Sequence, residues 1–102
     1  MLRLKQGDTG PSITITFTHQ GQPVPLPPGS TVVFRYRRGD TRVVHSCTVV
    51  DVPGGKARYD WDPDDTAVVG DFEADFYVAL PNGQNITFPN GEELIFHVVA
   101  PI

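Results

Sequence analysis

The sequence predicts an all-β protein, a sandwich or barrel of seven to eight short strands, and three observations carry that prediction. Apolar residues recur at alternate positions, most cleanly where Phe72, Ala74, Phe76, Val78 and Leu80 share one face and Asp71, Glu73, Asp75 and Tyr77 the other. Ten glycines and ten prolines among 102 residues force turns too often for long helices. The alternating runs are separated by turn signals at regular intervals, the pattern of a chain that folds as stacked or closed sheets.

Taken in order, residues 2–6, LRLKQ, alternate briefly and read as a short first strand ended by Gly7, Asp8, Gly10 and Pro11. Over residues 12–19, Ile13, Ile15 and Phe17 point one way and Thr14, Thr16 and Thr18 the other, which suits a half-solvated strand. The segment QGQPVPLPPG holds four prolines, cannot donate a regular ladder, and reads as an extended connector between sheets. TVVFRYR then places Val32, Phe34 and Tyr36 inward, and RRGDTR turns the chain back. Residues 42–52 are expected to form one longer strand with Cys47 and Val49 inward. Val44, Val50 and Val52 leave the opposite phase open, and a bulge would switch it midway. PGG at 53–55 is a tight turn, after which Ala57, Tyr59 and Trp61 alternate inward towards an acidic, proline-bearing corner. Asn82 and Gly83 both tolerate positive φ, so QNITF should pair back antiparallel on residues 72–80. PNGEE is the last turn. LIFHVV, apolar at nearly every position, fits a strand covered on one face by the core and on the other by neighbouring chain or a partner.

Length and composition bound the function. One domain, residues 1–102, is expected, large enough for a two-layer core without disulfides or metals. A net charge of −4 gives no general electrostatic case for nucleic acid. The single cysteine, Cys47, makes no internal bridge, and no zinc spacing occurs. The N-terminus lacks an apolar signal core and no run is long enough to span a bilayer, so cytoplasmic synthesis and no membrane partner are expected.

Few residues suggest chemistry. Asp60, Asp62, Asp64 and Asp71 stand at positions 1, 3, 5 and 12 of a calcium-loop spacing. Position 6, where that loop needs glycine, is Asp65; Pro63 interrupts the run, and neither flank is helical. Asp62 and Asp64 are therefore read as residues that start or cap a turn, and no metal or cofactor is expected. Arg38-Gly39-Asp40 is read as a hairpin tip in which glycine bends the chain and aspartate caps it. Arg35, Arg37, Arg38 and Arg42 concentrate positive charge at one place, and Asp62, Asp64 and Asp65 concentrate negative charge at the corner. This predicts one positive and one negative end. The arginines are either an edge kept soluble by charge or a docking surface for an acidic neighbour, including the aspartate corner of another copy. His19, His45 and His97 are scattered, Cys47 is expected to be buried, and no serine sits in an elbow motif, so no catalytic residue is expected. Tyr59, Trp61, Phe72 and Phe76 resemble a carbohydrate-stacking platform in composition, but their phase assigns them to the core, leaving Tyr77 facing outward.

The segments ITITF, GQPVPL, TVVFRYR, the turn from VVD to GK, ARYDWDPDDTAVVGDFEADF and NGQNITFPNG follow one another in an order that resembles the N-terminal domain family of phage baseplate upper proteins. YDW, DDTAVVGDFEADF and TFP in combination are the most specific part, and the likeness spans roughly residues 11–99. The resemblance implies a single immunoglobulin-like antiparallel β-sandwich and a non-enzymatic structural role in a tailed-phage virion. It also implies an adaptor or docking domain of the tail or baseplate, whose partners are other virion proteins and further copies of itself. In that family the domain anchors within the virion while further domains of the same chain carry or bind receptor-recognition modules. This sequence departs from the pattern in ending at Ile102, which opens other positions such as capsid decoration, neck or head fibre. A host-adhesion module that binds a glycan is the reading from a different class.

Overall fold

Alternation becomes strand wherever it is cleanest. The computed structural model describes residues 2–10, 12–89 and 94–102. Its strands are β1 (Leu2–Lys5), β2 (Ile13–Thr16), β3 (Thr18–His19), β4 (Gln22–Pro23), β5 (Thr31–Arg38), β6 (Thr41–Ser46), β7 (Thr48–Asp51), β8 (Lys56–Tyr59), β9 (Gly70–Ala79), β10 (Asn85–Phe88) and β11 (Leu94–Val99). A six-stranded sheet runs β1-β11-β9-β5-β6, with β10 also paired to β9; a three-stranded sheet runs β2-β8-β7; β3 and β4 form a small ladder of their own. The protein is thus nearly all β, with the layers of a sandwich, as the sequence predicts.

The core lies between the two larger sheets. Val32, Phe34 and Tyr36 of β5, Phe72, Phe76 and Val78 of β9, Ala57 and Tyr59 of β8, and Trp61 are all buried in the phase their alternation predicts. Phe34 is the hub: it is fully buried, and its ring centroid lies 4.5 Å from that of Tyr59, 5.0 Å from Phe76 and 5.6 Å from Trp61. Such offset and edge-on aromatic contacts add to the stabilisation from area burial. The Asn82-Gly83 hairpin also forms as predicted, with Asn85 to Phe88 antiparallel to Ala79 to Phe76, and the Phe88–Pro89 bond is cis. The PNGEE turn falls largely on residues 90–93, outside the described residues.

Three departures from the predicted outline of seven to eight strands have local causes. The 12–19 run breaks at Phe17, which turns fully inward; its N–H donates to Gly55 O at 2.8 Å and its carbonyl accepts from Val24 N–H at 2.8 Å. Thr18–His19 then pairs with Gln22–Pro23, so the proline connector begins as a two-residue ladder before Leu26 drops into the core. Gly55 is indispensable to this junction, because it has φ +64° and a Cβ there would lie 2.3 Å from Val24 O. Second, residues 42–52 are not one strand: the chain leaves the large sheet at Cys47, whose N–H donates to Val32 O at 2.8 Å, and continues as β7 in the small sheet. Cys47 and Val49 do pack against the core, as expected. Third, β1 pairs parallel to β11, from Leu2 opposite Phe96 to Lys5 opposite Val99, where an antiparallel neighbour was expected.

Candidate docking surface

The acidic corner is built from Asp62 onward. Asp62 is extended (φ −85°, ψ 145°) and caps a one-turn 3-10 helix, Pro63–Thr66: its carboxylate accepts from Asp64 N–H, while Asp65 accepts from Asp62 N–H in return. Proline at the first helical position and this reciprocal cap satisfy donors that a helix start would otherwise expose. Asp65 is fully buried. Tyr36 Oη donates to its Oδ1 at 2.8 Å and Tyr59 Oη to its Oδ2, while His45 Nε2 lies 3.2 Å from Oδ1 without hydrogen-bond alignment. Burial, reinforced by these bonds to a carboxylate, raises the pKa of both tyrosines. Asp65, grouped with the docking acids by sequence, is therefore an internal bracket between the sheets: its oxygens are occupied and no partner reaches it. Asp62 has the predicted turn-capping role, but Asp64 only donates its backbone N–H to it, and the reciprocal cap comes from Asp65.

The arginine hairpin does not lie at an opposite end from this corner. Gly39 (φ 59°) and Asp40 form the two-residue loop between Arg38 and Thr41, and Arg38 folds back over the rings of Tyr36 and Phe72, at 5.6 and 6.0 Å. Its Nη2 donates to Tyr36 Oη at 3.2 Å and to the backbone carbonyl of Asp64. The prediction of separate positive and negative ends is thus corrected: residues 26 apart in sequence bring hairpin and corner into contact. The Asp64 carbonyl also accepts from Ala67 N–H at 3.4 Å, and a planar guanidinium suits a second bond to it beside aromatic faces.

The remaining arginines lie on the outer face of the large sheet. Arg35 makes a two-pronged bond to Asp75, Nε to Oδ1 at 2.7 Å and Nη2 to Oδ2 at 2.9 Å, and stacks 4.7 Å from the Tyr77 ring. The hydrogen bond to Asp75 is the main reason its pKa is raised, outweighing burial. Tyr77 faces outward as predicted but is half-buried beneath Arg35. Arg37 and Arg42 sit directly opposite each other in the β5–β6 ladder, both exposed, and neither has an acidic partner among the described residues. Like charges in that position are unfavourable. Around them Arg35, Glu73 and Asp75 complete a shallow hollow of about 200 Å³.

Other candidates are accounted for by packing or pairing. Asp60 accepts from Ser12 and lies 3.2 Å from Arg58, and Asp71 meets His97 Nδ1 across β9 and β11. Asp60, Asp62 and Asp71 are thus engaged separately and Asp64 stands exposed, and among the described residues no cluster of His, Cys, Asp or Glu is disposed to hold a metal. Burial, with Asp60 adding, pushes the Cys47 thiol up to about 12. Tyr59, Trp61, Phe72 and Phe76 form core and no platform. The Asp62-Pro63-Asp64-Asp65 spacing was the one readable sign of the capped turn; the contact with Arg38 has no local signal.

A family model described as the BppU N-terminal domain matches residues 1–96. No curated protein matches the chain.

Proposed function

The chain belongs to the BppU N-terminal domain family, a phage baseplate structural family, and from that premise we propose that it is a non-enzymatic adaptor or docking domain of the tail or baseplate assembly. The observation that carries the reading is the extent of the family match, residues 1–96 of 102. Its partners are other virion proteins and further copies of itself, and it is made in the host cytoplasm and retained in the particle. Its mechanism is surface complementarity. Of the charged residues that the sequence nominates for docking, Arg35 and Arg38 are held by internal partners and Asp65 is buried. Arg37 and Arg42 on the outer sheet face, and the exposed Asp64, remain for a partner. Modest contacts of this kind suffice where many copies are held in register, because linked interfaces multiply.

Mass spectrometry of purified particles, followed by antibody labelling in electron micrographs, tests the reading. The expected result is the protein at the baseplate end of the tail. Its absence from purified particles refutes the virion role, and labelling on the capsid or neck refutes the baseplate placement.

A further inference from the structure

The outer face of the six-stranded sheet carries its charges in columns. β5 presents Arg35 and Arg37, and β9 presents Asp75 and Glu73 beside them. Arg35 is level with Asp75 in the ladder, and one step beyond the last registered pair, Tyr36 with Ala74, the antiparallel run carries Arg37 level with Glu73. Two basic and two acidic groups therefore stand side by side across one strand boundary. A face of this design is its own complement under one symmetry operation. A twofold axis parallel to the strands, lying over the β5–β9 boundary, sets the basic column of one copy against the acidic column of the other, and the reverse at the same time. A twofold axis across the strands would instead set acid on acid. Isologous interfaces require such reciprocity: residue i meets j, and j meets i.

The same face shows why a second copy is the occupant. Arg35 and Asp75 already neutralise each other, but Arg37 and Glu73 are exposed and are not paired with each other. Arg37 moreover confronts Arg42, an arrangement that costs an isolated sheet stability. A carboxylate arriving between the two guanidiniums relieves that repulsion, and the hollow they line gives it room. Exposed Val44 and half-buried Val33 and Ile95 supply apolar contact beside the charges.

We propose that this chain pairs face to face with a second copy through the outer face of its large sheet, Glu73 of each copy seating between Arg37 and Arg42 of the other. This rests on the reading above that the outer face docks. The test is sedimentation velocity on the purified chain, with circular dichroism to confirm folding. The wild type is expected to sediment as a dimer. Arg37→Glu and Glu73→Arg, each alone, should weaken the dimer by about tenfold or more, because each puts like charges opposite one another. Mixed one to one, the two variants should form a heterodimer, since the unchanged Glu73 of the first meets the unchanged Arg37 of the second and the two introduced charges, opposite in sign, meet each other. Pairing within one chain cannot produce that recovery. A wild type that stays monomeric at high concentration, or folded variants that fail to recover on mixing, overturns the proposal. If the monomeric wild type is still incorporated into particles and Arg37→Glu abolishes incorporation, the twofold pairing is refuted and the docking role stands.

Discussion

Two regions of this molecule place carboxylates beside arginines, and they use the combination in opposite ways. At the corner, Asp65 is sealed between the sheets, its oxygens taken by Tyr36, Tyr59 and the Asp62 amide, while Arg38 closes over the turn. On the outer face of the large sheet, Arg35 and Asp75 are partly exposed, and Arg37, Arg42 and Glu73 are open to solvent. The difference is one of desolvation. A buried carboxylate stripped of water must have every partner in place, so the corner is a structural bracket. A charge that keeps its water costs the fold little and stays available to another surface. Residue type alone does not separate the two regions; burial does.

The sharpest way to break the contrast is Asp65→Ala. It leaves two buried tyrosine hydroxyls without their acceptor and removes half of the cap, and should cost about 3–5 kcal/mol in chemical denaturation. A loss below about 1 kcal/mol would place the corner with the surface charges. Raising the pH attacks the same region. Cys47 is shifted from its ordinary 9.0 to about 12, and Tyr36 and Tyr59 are raised above their ordinary 10.0. The folded protein therefore retains protons that the unfolded chain releases. This contribution is fully present below about pH 9 and falls as the pH rises through the thiol and phenol range. A thermal melt series from neutral to alkaline pH should show that fall, and Tyr59→Phe should flatten it. At neutral pH, Tyr59→Phe removes one donor to Asp65 and should cost about 2 kcal/mol by denaturant titration.

The outer face should respond far less. A double-mutant cycle on Arg35 and Asp75 is expected to give a coupling of about 0.5–1 kcal/mol, weakened by salt, because the pair is well aligned but partly solvated. At protein concentrations low enough to leave only monomer, Arg37→Glu should change stability by no more than about 0.5 kcal/mol, and relief of the repulsion from Arg42 makes a slight gain the expected sign. A large loss at either site would erase the distinction between bracket and open surface.

The sandwich was legible because its strands obey a strict local rule. Val32, Phe34 and Tyr36, then Tyr59 and Trp61, then Phe72 to Val78 each carry their burial in the alternation itself. The passage at Cys47 was not legible, because Val43, His45, Cys47 and Val49 hold one phase while the chain changes sheets, and period alone does not record which sheet a strand joins. The fate of the acids was half legible. Asp62 and Asp65 have the spacing of a reciprocal cap with proline between them. That Asp65 would be wholly enclosed depends on Tyr36, 29 residues away, and that Arg38 would reach Asp64 depends on a contact across 26. The Arg37 and Arg42 pairing follows from the hairpin register once the tip is placed at Gly39 and Asp40.

The parallel pairing of β1 with β11 has a mechanical meaning. Both strands point the same way over four registered pairs, Leu2 with Phe96 to Lys5 with Val99. Tension that enters the chain ahead of β1 and leaves beyond β11 pulls the two strands past each other along their length. The inter-strand bonds are then loaded together in shear, instead of opening one after another from an end. Because β11 is also zipped to β9 in the middle of the sheet, that load passes into the most deeply packed part of the fold.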